Sequence, residues 1–290
     1  MHSQTSQIAC LQSTLFAKNI DLIAQAQLYQ SFLRYQERYI NNSPFPDKII
    51  YLTSTQSTNN DALSLSKDQD ISAAIIVSHQ QSHGRGQQHR TWHSEQGNLF
   101  LSILLPLECR LDGRFALECG LQLFDMPSLE RLKHQKHIQL KWANDLYSPL
   151  GKWGGMLIEP LAFNQQLGTQ PIIIGIGMNR FAIQHHQDIQ QSVTSLAELG
   201  LSINNLNDFI VEIYQAIMLA KINFEQDSPN LAQRFNKIAA FLGEQVQVQR
   251  QTQHIVGQFL GIDDTGAMRI KTSEQDVIRC YDGRLSLVND

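Results

Sequence analysis

Two lysines and one aspartate lie close together near the middle of the chain, in a pattern suited to phosphate chemistry. Lys141 and Asp145 belong to the segment K-W-A-N-D, and Lys152 follows just before a Gly-Gly pair that ends with Gly155. Lysine ammonium groups neutralise charge on a carboxylate or phosphate, and an aspartate positions a magnesium ion. Asn144 is a candidate contact for a phosphate or for metal-bound water. A β-hairpin with solvated lysines explains the same residues equally well when they are taken alone.

A loop containing glycine and arginine comes earlier in the chain, after an apolar run that ends near Ser78. It contains Gly84, Arg85, Gly86 and Arg90. Glycine lets backbone N–H groups approach an anion closely, and arginine adds a forked donor, so the loop is a candidate phosphate or carboxylate site. An ordinary surface loop is an equally good interpretation of this motif alone. The spacing matches neither the G-x-x-x-x-G-K-[ST] nucleotide loop nor the G-x-G-x-x-G dinucleotide fingerprint.

Two further polar motifs flank these segments. S-T-N begins at Ser57, a predicted helix N-cap, and its threonine and asparagine offer polar groups to a ligand. G-I-G-M-N ends at Asn179 after a run of isoleucines, and small residues at the end of a buried strand suit a pocket wall. A glycine-marked strand end is the simpler explanation of the second motif in isolation.

Apolar periodicity predicts that a mixed α/β layer carries these motifs. Runs of strand length occur at 48–53, 71–78, 98–105, 138–142, 153–159 and 171–177, and helices are predicted near 20–35, 113–124, 208–224 and 230–241. Asn207 is the candidate cap of the third helix. From residue 244 onward, short alternating strands with Asp- and Gly-containing turns predict a small β-barrel. The predicted organisation is a helical extension over 1–47, a main domain over 48–243 and a small β-domain over 244–290.

The overall composition narrows the classes of function. A net charge of −4 and a pI near 6.2 argue against broad nucleic-acid binding. No apolar stretch approaches the roughly 18–20 residues that span a bilayer, and the N-terminus lacks the basic-then-apolar order of a secretory signal. The cysteines at 10, 109, 119 and 280 are scattered and form no C-x-x-C pair. This usage fits reduced thiols and predicts a cytoplasmic protein without a membrane partner.

The four motifs occur together and in one order, and as a set they resemble the biotin–protein ligase family. In that family an S-T-N turn is followed by G-R-G-R-x-G-R-x-W, N-L-[YF]-L-S, K-W-P-N-D, a lysine before x-x-G-[IM]-L-[IV]-E, and G-[IL]-G-[IL]-N. The matching segments here are 57–59, 84–92, 98–102, 141–145, 152–159 and 175–179. The resemblance extends from about residue 48 to the C-terminus and is specific as a set, although each motif alone is weak.

Carried over position by position, the resemblance implies a role for each motif residue. The biotin pocket would be lined by Ser57, Thr58, Arg85 and one of Gln80 and Gln81, and Asn59 would be a further binding residue. Lys152 would contact the biotin carboxylate and the α-phosphate of ATP, and Trp92 would stack near the adenine. ATP and its metal would be served by Lys141, Asn144 and Asp145, with Asp145 as the metal ligand. The remaining binding residues would be Gly84, Gly86, Arg90, Gly155, Gly175, Gly177 and Asn179, and the catalytic set would be Lys152, Asp145, Lys141 and Arg85.

The resemblance also implies a fold and an activity. The fold would be α+β, with a mixed-sheet catalytic domain, flanking helices and a small C-terminal SH3-like β-barrel. The enzyme would use ATP and Mg²⁺ to convert biotin to biotinyl-5′-AMP, and would then transfer biotin to a lysine of a biotin carboxyl carrier domain, usually that of acetyl-CoA carboxylase. A lipoate-type protein ligase and a non-catalytic biotin-binding regulatory module are the alternatives. Retention of both lysines and Asp145 argues against the second.

The same resemblance bears on DNA binding and on pairing between two copies of the protein. Some relatives carry a DNA-binding winged helix before the catalytic domain and act as repressors. Only about fifty residues precede the first motif here, with one predicted helix, so we expect a monofunctional ligase that does not bind DNA. Family members sometimes pair edge strands of the central sheet, which allows a weak or ligand-induced homodimer.

The glycine loop departs from the family pattern at two positions. Gln87 stands where family members often carry arginine, and His89 stands where they carry glycine. Because a less cationic loop holds an anionic adenylate less tightly, we expect faster adenylate release than from a member that carries the arginine. Stopped-flow measurement of release checks this expectation. A release rate as slow as that of the arginine-bearing enzyme would contradict it.

Overall fold

A seven-stranded mixed sheet forms the centre of the protein. The computed structural model describes residues 19–38, 45–68, 70–135, 137–183, 191–250, 253–272 and 276–288. Its first sheet has the strands β1 (Lys48–Leu52), β2 (Ala74–Ser78), β3 (Leu99–Leu107), β4 (Gln139–Lys141), β5 (Asp145–Ser148), β6 (Gly151–Pro160) and β7 (Gln170–Met178). Their order is β1-β2-β3-β7-β6-β5-β4. Only β1 and β2 are parallel among these neighbours, and the helix between them supplies the crossover that a parallel pair needs.

Helices cover both faces of this sheet. They are α1 (Leu22–Arg38), α2 (Thr58–Leu65), α3 (Arg114–Phe124), α4 (Glu130–His134), α5 (Leu206–Glu225) and α6 (Leu231–Asn236). The larger core packs α1, α3 and α5 on one face and buries Phe32, Phe115 and Phe209. The smaller core places α2 on the other face, around Ile50 and Ile76. Strands covered on both faces are mainly apolar, as in β2, where all five residues are buried and four of them are apolar.

Both outer strands of the sheet are covered by neighbouring chain. Ile20 forms an antiparallel bridge to Leu52 beside β1. At the other side, Leu140 of β4 donates its N–H to the carbonyl of Ile238 at 2.9 Å and accepts from the N–H of Ala240 at 2.8 Å. Residues that the periodicity assigned to the end of a helix near 230–241 therefore pair with the sheet, and α6 ends at Asn236. At these residues the backbone groups of the edge strands are already paired within the protein.

A second, five-stranded antiparallel sheet follows. Its strands are β8 (Gln245–Gln249), β9 (His254–Ile262), β10 (Met268–Lys271), β11 (Val277–Cys280) and β12 (Arg284–Leu287), in the order β11-β10-β9-β8-β12. Val246, Phe259 and Ile270 fill its interior. Trp142 Nε1 donates to the carbonyl of Gly266 at 2.9 Å and joins the two sheets. The predicted α+β class with a small C-terminal β-domain is confirmed, whereas the boundaries at 47 and 243 stay predictions.

Two helix starts differ in detail from expectation. Asn205, and not Asn207, caps α5, because its side chain accepts from the N–H groups of residues 207 and 208. Ser57 lies at the N-cap position of α2 in extended conformation, but its side chain makes no capping hydrogen bond. No helix in the described ranges is long and apolar enough to cross a membrane.

The pair formed by Glu118 and Arg234 generates a stability prediction. Glu118 of α3 is completely buried, and Arg234 of α6 donates to both of its carboxylate oxygens. Arg234→Ala would leave a buried carboxylate without a partner, so we expect the free energy of unfolding to fall by about 3–5 kcal/mol. Arg34→Ala is the control, because its pair with Asp208 is half-exposed and should contribute at most about 1 kcal/mol. Urea unfolding measures both, and equal losses would contradict the prediction.

Candidate active site

An ion pair between Lys152 and Asp145 lies at the centre of the candidate site. Lys152 Nζ is 2.6 Å from Asp145 Oδ1, and the two side chains are only 11% and 15% exposed. Asp145 faces Gly155 across β5 and β6, but Tyr147 faces Lys152, because the register shifts after Leu146. In unbroken register Lys152 would point to the opposite face from Asp145. The bulge therefore brings the ammonium and the carboxylate together.

A chain of polar side chains lies beside this pair, at the start of α2. The backbone N–H of Thr58 donates to Gln81 Oε1 at 2.9 Å, and Gln81 Nε2 donates to Ser94 Oγ at 3.1 Å. Ser102 Oγ lies 2.5 Å from Asn59 Oδ1 and 2.8 Å from Thr58 Oγ1. Ser102 is fully buried on β3, so these contacts fix the first turn of α2 against the sheet.

Two glycines of β7 let large side chains lie directly on the strand. A Cβ at Gly175 would be 2.2 Å from Asn59 Oδ1, and a Cβ at Gly177 would be 2.4–2.6 Å from three atoms of the Trp92 indole. Neither position has room for a side chain unless its neighbour moves. Glycine thus permits the close approach of both residues to the backbone.

Three adjoining cavities surround these residues. A small one of about 30 Å³ is lined by Ser57, Thr58, Asn59, Gln81, Arg85, Trp92, Leu101, Gly155, Leu157, Gly175, Ile176 and Gly177. A second of about 520 Å³ includes Gly86, Arg90, Trp92, Asn144, Asp145, Lys152, Gly155 and Asn179. Trp92 and Gly155 border both, so they separate the first cavity from the second. A third of about 910 Å³ continues from Asn144 and Asp145 to Thr265 and Tyr281 of the C-terminal sheet.

Two buried polar atoms on the 520 Å³ cavity have no hydrogen-bond partner in the described part of the protein. They are Trp92 Nε1 and Asn179 Oδ1. The other end of the Asn179 amide donates to the carbonyl of Thr194 at 3.0 Å, which fixes the orientation of the side chain. A buried donor or acceptor without a partner is unfavourable by about 1–3 kcal/mol, so the Trp92 N–H and the Asn179 oxygen are candidates for contacts with a bound molecule.

The structure gathers most of the predicted site residues and separates a few of them. Gln81 belongs to the small cavity, whereas Gln80 is exposed and does not line it. Gly84 lines none of the three cavities and packs against the Trp92 carbonyl. Lys141 borders only the largest cavity, with its ammonium 5.6 Å from the ring centroids of both Tyr147 and Phe241.

Several residues around the site were not assigned a role from the sequence. Ser102 and Glu159 lie inside the N-L-F-L-S and G-M-L-I-E motifs, which are the signal that points to them. Arg284 lies on β12 and borders both larger cavities. Nothing in its local sequence pointed to the site, because the contact joins positions far apart in the chain.

Two family profiles match the chain. The Biotin/lipoate A/B protein ligase family matches residues 49–179, and the Biotin protein ligase C terminal domain matches residues 241–283. The first match contains every residue of the predicted site, and the second covers most of the five-stranded sheet. Residues 49–179 therefore form a Biotin/lipoate A/B protein ligase domain, and residues 241–283 form a biotin protein ligase C-terminal domain. The resemblance inferred from the motifs is confirmed.

Individual biotin protein ligases show the extent of the similarity. The bifunctional ligase/repressor BirA of Salmonella typhimurium is 30% identical over 207 residues, which are 70% of this chain and 62% of that protein. This chain therefore matches less than two thirds of the length of that relative. The biotin–[acetyl-CoA-carboxylase] ligase of Paracoccus denitrificans is 27% identical, with 76% of this chain and 92% of the relative covered. The structure of the biotin protein ligase from Aquifex aeolicus in complex with biotin and ATP has a TM-score of 0.69 at 25% identity, and covers 82% of this chain and 97% of that one.

The contact between Gly177 and Trp92 is open to a spectroscopic test. In Gly177→Ala the new Cβ displaces the indole from the strand, so we expect the tryptophan emission to shift to longer wavelength as the ring enters water. The other two tryptophans, Trp142 and Trp153, are buried elsewhere and should not contribute. The control is the same substitution in a Trp92→Phe background, where the shift should disappear. An unchanged spectrum in Gly177→Ala would contradict the packing described.

Proposed function

We propose that this protein activates biotin with ATP and then transfers biotin to a lysine of a carrier protein. The observation that carries the proposal is the position of Lys152. Its ammonium borders the 520 Å³ cavity and lies 5.2 Å from the centroid of the Trp92 ring, which forms part of the boundary with the 30 Å³ cavity. A cation at that boundary would contact both a carboxylate entering from one cavity and a phosphate lying in the other.

The smaller cavity has the chemistry of a biotin pocket. Its polar end, with Thr58, Gln81 and Arg85, offers acceptors and donors for the N–H and C=O groups of a ureido ring. Leu101 and Leu157 supply an apolar wall for the rest of the molecule. The cavity of about 30 Å³ is far smaller than the roughly 300–1,000 Å³ of ordinary ligand pockets, so binding requires side chains at its border to move. Trp92 separates the pocket from the larger cavity and is the first candidate.

The 520 Å³ cavity suits a nucleotide. The indole of Trp92 offers a face for stacking, and the unpaired Asn179 Oδ1 is an acceptor for the amino group of adenine. Gly86 and Arg90 border the same cavity from the glycine loop and are placed to contact phosphates. The loop that carries them would cover the adenylate and exclude water, which would otherwise hydrolyse it.

The reaction follows from these positions. A carboxylate oxygen of biotin attacks the α-phosphorus of ATP, a P–O bond forms, and the bond to pyrophosphate breaks. Because both reactants are anionic, Lys152 must suppress their repulsion and stabilise the charge that develops at the α-phosphate. In the second step the neutral amine of a carrier lysine attacks the acyl carbon of biotinyl-5′-AMP. AMP leaves with the bonding electron pair, and the amine proton is released.

A magnesium ion fits the donor set beside Lys152. No three His, Cys, Asp or Glu side chains are grouped to bind a metal by themselves in the ranges that the structure describes. Mg²⁺ in nucleotide sites is held by one or two carboxylates together with substrate phosphates, so a single carboxylate is sufficient. Asp145 would hold the ion, which would supply positive charge at the phosphates. Asn144 lies next to it and donates to the carbonyl of Met156.

The carrier is proposed from the similarity to a relative, and the compartment is proposed from the cysteines. The relative from Paracoccus denitrificans is named for acetyl-CoA carboxylase, so we propose that the acceptor is a biotin carboxyl carrier domain of such an enzyme. The described cysteines Cys109, Cys119 and Cys280 are free thiols, which is consistent with action in the cytoplasm.

Adenylate formation tests the proposed function. Purified protein is mixed with ATP, magnesium and either biotin or lipoate, and pyrophosphate release is followed together with adenylate by mass spectrometry. We expect biotin-dependent release, and a decrease of about 10²–10³-fold in Lys152→Ala because the variant lacks the cation at the reacting groups.

Lys221→Ala is the matched control. Lys221 pairs with Glu225 at 2.7 Å, and the side chains are 13% and 16% exposed, which closely resembles the Lys152 pair at a remote position. This variant should retain the wild-type rate. Turnover with lipoate alone would replace the proposal with a lipoate-type ligase. Biotin binding without turnover would favour a non-catalytic binding module.

A further inference from the structure

The carboxylate of Glu159 joins two walls of the proposed biotin pocket. Glu159 lies on β6, and its Oε2 accepts from Arg85 Nη2 at 2.8 Å and from Asn59 Nδ2 at 2.6 Å. Arg85 comes from the glycine loop and Asn59 from the first turn of α2, and both line the pocket. Glu159 itself is not among the lining residues, so it acts on the pocket only through these two side chains.

The hydrogen bond from Asn59 to Glu159 determines the orientation of the Asn59 amide. Because a carboxylate only accepts, the NH₂ group of Asn59 must face Glu159 and its carbonyl oxygen must face Ser102. The amide cannot turn freely, since Asn59 is 4% exposed and packs against Gly175. Glu159 thereby dictates that Ser102 meets an acceptor.

This orientation passes along the chain of hydroxyl groups to the pocket. Ser102 has one hydroxyl hydrogen, and the 2.5 Å contact with Asn59 Oδ1 uses it. Ser102 therefore has no hydrogen left for Thr58 Oγ1, which is 2.8 Å away, and can only accept from it. The Thr58 hydroxyl can donate either to Ser102 Oγ or to Gln81 Oε1 at 3.2 Å. In both arrangements the Thr58 hydrogen is used by an acceptor within the protein and is not available to a ligand. The Thr58 oxygen therefore presents lone pairs to whatever occupies it.

We propose that Glu159 is a positioning residue for biotin, which selects a ligand with N–H donors by fixing the polarity of the Asn59–Ser102–Thr58 chain and by holding Arg85 at the pocket. This inference rests on the proposed function. A ureido ring supplies N–H groups that match an acceptor at Thr58. An acyl ligand without a ureido ring gains nothing from the same arrangement.

Steady-state kinetics of three variants test the proposal. Glu159→Ala removes both contacts. Glu159→Gln keeps an acceptor for Asn59 but removes the negative charge that pairs with Arg85. Ser102→Ala interrupts the hydrogen-bond chain without changing the contact with Arg85. We expect the KM for biotin to rise about tenfold in Glu159→Ala and Ser102→Ala, and less in Glu159→Gln. The KM for ATP should stay within about twofold of wild type, because neither Glu159 nor the Asn59–Ser102–Thr58 side chains border the 520 Å³ cavity proposed for the nucleotide.

A double-variant cycle shows whether Glu159 acts through the chain. If it does, adding Ser102→Ala to Glu159→Ala should raise the KM for biotin much less than the product of the two single effects. Glu212→Ala is the control for general loss of structure. Glu212 on α5 is likewise partly buried and accepts two hydrogen bonds, from Ser128 N at 3.0 Å and Ser128 Oγ at 2.9 Å, far from the pocket in the fold. Its KM for biotin should not change.

Calorimetric titration with biotin separates the two proposals. If wild-type protein binds biotin but does not release pyrophosphate, the proposed activity fails, while weaker binding in Glu159→Ala still supports the positioning role. Wild-type affinity for biotin in Glu159→Ala would overturn it. So would an equal rise in the KM for ATP, the same change in Glu212→Ala, or the absence of biotin binding by the wild-type protein.

Discussion

The Lys152 ammonium and the Asp145 carboxylate lie side by side on adjacent strands, and both groups lose most of their hydration there. Desolvation of such a pair can exceed the attraction between its members, so the pair is weak evidence for stability. Its position is better explained by the charges that the cavities are suited to receive. A cation already desolvated at the boundary between the cavities interacts more strongly with a phosphate than one in bulk water does. Asp145 keeps this cation in place when no anion is bound.

The backbone produces this pair through a local irregularity. The register shift between β5 and β6 leaves Trp153 as the extra residue, and Trp153 is fully buried with its Nε1 bonded to the carbonyl of Tyr147 at 3.0 Å. The large side chain anchors the bulge in the core, and the bulge turns Lys152 towards Asp145. Core packing and site geometry therefore depend on the same residue.

The sequence predicted the residues of the site better than it predicted their surroundings. The predicted site residues make up nine of the twelve residues on the 30 Å³ cavity and eight of the sixteen on the 520 Å³ cavity. The motifs located these residues because each motif is short and its members are placed by one strand end or one turn. The bulge at Trp153 was not predictable, since apolar alternation in β6 does not reveal which residue is left unpaired. The choice of Gln81 over Gln80 also required the structure, because their side chains differ only in which face of the loop they occupy. Arg284 was missed because its position depends on how the second sheet packs against the first.

The sequence predicted most of the helices and strands, but it did not predict how the edge of the seven-stranded sheet is paired. Residues 238–240 were assigned to a helix because their apolar spacing suits one, but pairing with β4 satisfies their backbone groups at the edge of the sheet. This pairing leads the chain directly into β8 and, with the bond from Trp142 to Gly266, fixes the second sheet beside the largest cavity. A domain attached by so short a connection brings Thr265 and Tyr281 to the cavity without a flexible linker.

The two sides of the site differ in the kind of polarity that they use. The small pocket is lined by neutral groups whose hydrogen bonds have fixed directions, and its one cation, Arg85, is already paired with Glu159. The larger cavity contains Arg90, Lys152 and an unpaired acceptor at Asn179. Directional hydrogen bonds distinguish neutral ligands by the placement of their donors, whereas charges attract anions with little regard to shape. Trp92 lies between the small pocket and the 520 Å³ cavity. A ligand in the small pocket therefore reaches Lys152 only with a charged end that extends past the indole.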